Sequence, residues 1–203
     1  MRSLSLLLGV LPLLATPVMG QQARLLVSGG WLEENLSQPD LVVLHASRDG
    51  SDYEAGHIPG ARLVLLDRIA WEGQDGVGVE IRRLPEVRGA LEEAGVSDRS
   101  KVVVYGSNPM VAARLWMTLD VVGAGASEPL FLDGGLQVWK EEGREISTAP
   151  PAVKRGRLTL RPRTDRIVSA DWILVRLGHD GLSLVDARLD DAFSGADDGQ
   201  GGR

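Results

Sequence analysis

Nucleophilic, redox and metal chemistry each need particular side chains: a thiol, an activated hydroxyl, or clustered imidazoles and carboxylates. This chain offers few of them. It contains no cysteine, which excludes disulfides, thiolate metal ligands and a cysteine nucleophile within these residues. Its histidines, His45, His57 and His179, lack the spacing of a metal site, and nothing points to an organic cofactor. Three segments remain. Glu54-Ala55-Gly56-His57-Ile58-Pro59-Gly60-Ala61 joins a short helix to a strand, with Gly56 and Gly60 suited to positive φ and Pro59 fixing the turn. His57, with no acid or cysteine beside it, is expected to hydrogen-bond the turn backbone. Val102-Val103-Val104-Tyr105-Gly106-Ser107-Asn108-Pro109 reads as strand, tight loop and helix start. Ser107 or Asn108 would cap that helix, with Pro109 in its first turn. Reactive groups favour such loops, where a helix N-terminus offers free N–H groups to an anion. Ser107 is the one hydroxyl nucleophile there; it has no motif pairing it with a histidine base, and capping accounts for it. In Leu132-Asp133-Gly134-Gly135-Leu136-Gln137-Val138-Trp139 the paired glycines permit a sharp turn. Asp133 beside them reads as a catalytic acid or a helix cap, and a cap is expected.

The elements that must position these segments are legible in the hydrophobic pattern. Residues 41–45, 62–65, 101–105 and 130–132 form short runs with few polar interruptions, as expected of strands covered by helices on both faces. Leu84, Val87, Leu91 and Ala94 make a helical stripe closed by Gly95; Val111, Leu115, Leu119 and Val122 make a second, ending at Gly123; Leu136 and Trp139 mark a third that stops at Gly143. Strand and helix alternate with short connections, which predicts an α/β fold with a parallel sheet.

Outside this block, residues 1–20 read as a secretory signal peptide: Arg2, an apolar run over residues 4–14, and Val18-Met19-Gly20 before a cleavage expected after Gly20. Pro12 and Pro17 interrupt a stretch already short of the roughly 20 apolar residues a membrane span needs. No membrane association is expected after cleavage, and the location is periplasmic or secreted. The formal net charge of −6 gives no general attraction to nucleic acid or an anionic membrane.

A repeat organises the rest. Val27-Ser28-Gly29-Gly30-Trp31-Leu32 recurs as Val168-Ser169-Ala170-Asp171-Trp172-Ile173. At the same offset Leu41-Val42-Val43-Leu44-His45-Ala46-Ser47 falls on Leu182-Ser183-Leu184-Val185-Asp186-Ala187-Arg188. Each copy reads as a helix start followed by a buried strand, and the offset is far longer than the roughly 20–50 residues of a solenoid repeat. The division expected is a signal peptide at 1–20, a first domain at 21–148, a linker at 149–165 and the start of a second copy at 166–203. The linker carries Pro150 and Pro151 and then Lys154, Arg155, Arg157, Arg161, Arg163 and Arg166 against Asp165. Its basic run reads as a solvated segment, or as one that docks on an acidic face or attracts an anionic substrate.

Together, His57-Ile58-Pro59-Gly60-Ala61 and Leu132-Asp133-Gly134-Gly135 with Trp139, in this order and separation, resemble the rhodanese family of sulfurtransferases, and in particular the first domain of its tandem members. The resemblance covers residues 25–147 and resumes at 166. It implies a rhodanese-like fold whose first domain is noncatalytic. The nucleophilic cysteine would lie in the second domain, on the loop that matches Gly106 in the first. Projected through the repeat, that loop lies beyond Arg203, so a C-terminally truncated chain, inactive by itself, is expected. In the whole protein the thiolate would take sulfane sulfur from a small anionic donor, thiosulfate or 3-mercaptopyruvate, hold it as a persulfide and yield it to a thiophilic acceptor. Asp186 and Arg188 match a family segment near the active site. Arg188 is thereby a candidate ligand of the anionic donor, and an ion pair between the two is the competing reading. Ala192 stands where many members carry a further substrate arginine. A noncatalytic rhodanese-like binding module is the alternative function.

Overall fold

In the computed structural model, residues 25–71, 80–188 and 190–195 are described; the signal-peptide expectation lies outside them. Five parallel strands build the main sheet: β1 (Leu26–Val27), β2 (Leu41–Ser47), β3 (Arg62–Leu65), β6 (Lys101–Tyr105) and β7 (Leu130–Leu132), in the order β1-β7-β6-β2-β3. A small antiparallel pair, β4 (Ala70–Trp71) and β5 (Glu80–Ile81), lies apart from it. Around the sheet run α1 (Gly29–Asn35), α2 (Ser51–Glu54), α3 (Leu66–Ile69), α4 (Leu84–Glu93), α5 (Pro109–Val122) and α6 (Gly135–Glu141).

Both faces are covered, and the strand sequences show why. Val42, Leu44 and Ala46 of β2, with Val102 and Val104 of β6, face α4 and α5 in one core, beside Val87, Leu91, Leu115 and Leu119. The alternate residues Leu41, Val43, Val103 and Tyr105 face α1 and α6 in the second, beside Leu32, Leu136 and Trp139. Because successive side chains point to opposite faces, a strand buried on both sides must be apolar at nearly every position. Expected strands 62–65, 101–105 and 130–132 form as read, and β2 runs on to Ser47. Gly95, Gly123 and Gly143 all take positive φ after α4, α5 and α6, where a left-handed residue closes the helix. The stripe on α4 needs one correction. Leu84, the first residue of α4, is 43% exposed, and Ala90 belongs to the core instead.

The chain divides at Pro162 into two units, a point inside the expected linker. Residues 155–161 belong to the first unit and are hydrogen-bonded to it: Gly156 N–H donates to Glu92 O (2.7 Å) and Arg161 N–H to Val122 O (2.9 Å). Leu158 is buried in the first core. In the second unit, α7 (Ala170–Leu174) and α8 (Asp190–Ser194) form. The strand expected at 182–188 does not: these residues form no regular element, and Val185 is 88% exposed. A β-strand needs a neighbour to satisfy its backbone groups, and among the described residues none lies beside this one.

Candidate functional site

The register places His45 of β2 beside Tyr105 of β6, so both strands deliver their C-terminal ends to one place. Three polar side chains meet there. Asp52, on α2, accepts from the Ser47 hydroxyl and from the Tyr53 N–H (3.0 Å), and its other oxygen lies 3.0 Å from His45 Nε2. Gly50, at φ 87°, turns the chain after β2 so that its N–H donates back to Ser47 Oγ (3.0 Å). Burial acts to raise the Asp52 pKa, but hydrogen bonds, first those from Ser47 and His45, outweigh it and bring it down to about 2.

His45 is fully buried, and desolvation lowers its pKa despite the bond to Asp52. The ring is therefore neutral near pH 7, with Nε2–H donating to Asp52. Its Nδ1 has no hydrogen-bond partner among the described residues, so protonation there would create a buried N–H without an acceptor. The edges of Tyr53 and Tyr105 pack around the ring at centroid distances of 5.4 and 4.7 Å. These shifts set a pH dependence. Both folded-state pKa values lie below their unfolded ones, so the unfolded chain takes up protons first and acid destabilises the fold. The His45 contribution is fully present above pH 6.5 and is lost below it; that of Asp52 is present above 3.8 and is lost as pH falls to about 2. Urea-unfolding midpoints should therefore drop between pH 7 and 5 and again between pH 4 and 2, the second drop shrinking in Asp52→Asn. Equal midpoints at pH 7 and 5 would show that His45 does not resist protonation.

The turn at 56–61 behaves as its sequence implies. Gly56 and Gly60 take φ of 145° and 77°. The His57 ring stacks on Tyr53 at 3.7 Å, with Nδ1 2.9 Å from Tyr53 O and Nε2 3.3 Å from Ala149 O. The Tyr105 hydroxyl accepts the Ile58 N–H (2.9 Å), and burial pushes its pKa far upward. His57 is thus a fully buried structural residue that ties the turn to the segment after α6.

One capping alternative is decided and one capping expectation changes. Of Ser107 and Asn108, Asn108 caps α5, its side-chain oxygen accepting from the N–H groups of Met110 (2.9 Å) and Val111 (3.4 Å). At α6 the cap is Gly134, with φ 69° and no side-chain hydrogen bond, so Asp133 caps nothing. The glycine pair meets the demand for close approach, since a Cβ on Gly135 would lie 3.2 Å from Gly106 O.

Gly106 itself is buried, and a Cβ there would stand 2.6 Å from Ala46 O. The position matched to the nucleophile is therefore closed by backbone. In a serine triad the imidazole lies between hydroxyl and acid; here His45 turns Nε2 to Asp52 and its buried Nδ1 has no partner among the described residues, so no hydroxyl is bonded to the ring. The cluster of His45, Ser47 and Asp52 carries no sequence motif, and its two titratable members are seven residues apart. In the second unit, Arg188 Nη2–H donates to Asp186 Oδ2 (2.7 Å) and Nε–H lies 3.0 Å from both carboxylate oxygens, in an exposed ion pair. Among the described residues no group of histidines, cysteines and carboxylates could hold a metal ion.

Comparison with known proteins places this geometry. The chain is 32% identical over 182 residues to the probable 3-mercaptopyruvate sulfurtransferase of Pseudomonas aeruginosa, a match covering 84% of this chain and 63% of that protein. It is 31% identical over 165 residues to the thiosulfate sulfurtransferase of Azotobacter vinelandii, covering 81% and 59%. The chain thus spans about three fifths of the length of these relatives. The crystal structure of the 3-mercaptopyruvate sulfotransferase SseA from Escherichia coli superposes with a TM-score of 0.65 at 21% identity, over 75% of this chain and 62% of that one, and shares the fold. With the rhodanese-like domain family matching residues 28–142, more than half of its length, this chain belongs to that family.

Proposed function

We propose that the whole protein is an exported sulfurtransferase whose first rhodanese-like domain is noncatalytic and whose sulfur-carrying cysteine belongs to a second domain beginning near residue 166. The observation that carries this reading is the closed Gly106 position in a chain without cysteine, in a family whose compared relatives are named sulfurtransferases. The second unit supports a further domain. Ser169 caps α7 as Ser28 caps α1: each side chain accepts the N–H of a tryptophan three residues on, at 3.1 and 3.2 Å, from nearly the same φ and ψ. Large apolar side chains such as Leu174, Val175, Leu184 and Val185 stand 57–88% exposed, the condition of an apolar face that awaits its core.

The chemistry proposed for that domain conserves atoms simply. A thiolate attacks the outer sulfur of thiosulfate, a persulfide forms and sulfite leaves; cyanide or another thiophile then takes the sulfur and restores the thiolate. Arg188 is assigned to the anionic donor, for which it would leave Asp186. The leader at 1–20 directs the protein to the periplasm or outside the cell. The test is cyanide-to-thiocyanate turnover. The 203-residue chain is expected to give none, and the product of the extended reading frame should be active and lose activity when its loop cysteine becomes serine. Turnover by the short chain would overturn this reading, and an extended product with no cysteine would favour a noncatalytic binding module.

A further inference from the structure

At the end of the sheet opposite Gly106, the N-terminal ends of β2, β3 and β6 open onto a groove of about 950 Å³, whose outer wall is formed by residues 152–157. Arg62, Arg99, Lys154, Arg155 and Arg157 line it, against the carboxylates of Asp40 and Asp98. On a chain with net charge −6, this is a local reversal of sign. The pairing pattern sharpens it. Arg155 is held by Glu92 and Glu93 (3.2 and 3.5 Å), and Asp98 accepts the N–H and hydroxyl of Thr159 (2.7 and 3.1 Å). Arg99, Lys154 and Arg157 have no carboxylate partner among the described residues. Half-buried Arg62 gives one N–H to Ala94 O (3.0 Å) and keeps the rest of its fork.

The outer wall is a fixed strap. Gly156 N–H donates to Glu92 O, Arg157 N–H to Ser97 Oγ (3.1 Å) and Asp98 N–H to Arg157 O (3.1 Å), so Lys154 and Arg157 project from anchored backbone. Cations therefore stand on both walls, with their main chain already ordered, which lowers the entropy lost on binding. We propose that this groove binds a short chain of phosphate-type oxyanions. Each tetrahedral group offers charge and acceptors in several directions, matching guanidinium and ammonium donors from facing walls, and a volume of about 950 Å³ exceeds what one oxyanion fills.

The test is calorimetric titration of the chain with sodium tripolyphosphate at low ionic strength, with orthophosphate, thiosulfate and an acidic peptide as separate arms. Saturable one-to-one binding of tripolyphosphate, at least ten-fold tighter than of orthophosphate or thiosulfate, is expected. The exposed-site variant Arg99→Gln/Lys154→Gln/Arg157→Gln should lose at least ten-fold in affinity while its thermal midpoint stays within a few degrees of the parent. No saturable binding, unchanged affinity in that folded variant, equal affinity for orthophosphate or thiosulfate, or tighter binding of the acidic peptide would each overturn the proposal. Sulfur-transfer assays do not enter this outcome, so it stands or falls apart from the proposed activity.

Discussion

Gly106→Cys is expected to turn over no thiosulfate with cyanide and to be less stable than the parent by about 1–3 kcal/mol, the usual cost of adding atoms to a filled site. The new Cβ would meet Ala46 O at 2.6 Å, and that oxygen belongs to β2, paired between β3 and β6. Neither partner can retreat without breaking a ladder. Electrostatics opposes the thiolate as well. The Asp52 carboxylate is bonded to Ser47 and His45, and His45 pairs with Tyr105, the residue before position 106, so a thiolate here would face a like charge that raises its pKa above the usual value of about 8.5. Iodoacetamide labelling at pH 7 should accordingly be slow, and faster in Gly106→Cys/Asp52→Asn, where the charge is removed and the steric conflict stays. Measurable thiocyanate formation by the single variant would show that the loop can open to a working geometry, and the contact with Ala46 O would no longer account for an inactive first domain.

How far these features could be read in advance depends on how local their physics is. β2 and β6 were legible because burial on both faces forces apolar residues at consecutive positions, and the helix ends were legible because Gly95, Gly123 and Gly143 are the cheapest residues at positive φ. The Gly106 position was legible through resemblance, but its closure by Ala46 O needed the β2–β6 register. The Asp52 cluster was invisible for the same reason. His45 and Ser47 lie on one strand and Asp52 on the helix after it, and nothing in their spacing announces that they meet. Ser107 and Asp133 looked like caps because capping is the commonest use of such residues before a helix. The actual caps are the neighbouring Asn108 in one case and a left-handed Gly134 in the other. The strand expected at 182–188 had the right composition, yet pairing is supplied by neighbours and cannot be encoded in the strand itself.

Gly156→Ala should have the largest effect of any single methyl added to the first unit's strap, about 3–5 kcal/mol of lost stability. A Cβ at 156 would stand 1.9 Å from Val96 O and 2.6 Å from the Val96 carbonyl carbon. All the nearest atoms are backbone, so no side-chain rotation relieves the overlap and the strap itself must lift. Lifting it breaks Gly156 N–H to Glu92 O, Leu158 N–H to Glu92 Oε1 (3.1 Å) and Thr159 N–H to Asp98 Oδ1 (2.7 Å), each worth about 0.5–1.5 kcal/mol net. It also exposes Leu158, now 5% accessible, whose burial contributes about 1.5–3 kcal/mol. Partial retention of these contacts keeps the total below their sum. Thermal or urea unfolding measures the loss, and limited trypsin digestion locates it: Lys154, Arg155 and Arg157 should become early cleavage sites in the variant and resist in the parent. If the variant unfolds like the parent and its strap stays protected, residues 155–161 are not anchored by these bonds. The basic groove would then lose its fixed wall, and with it the argument that its cations are held in place for a ligand.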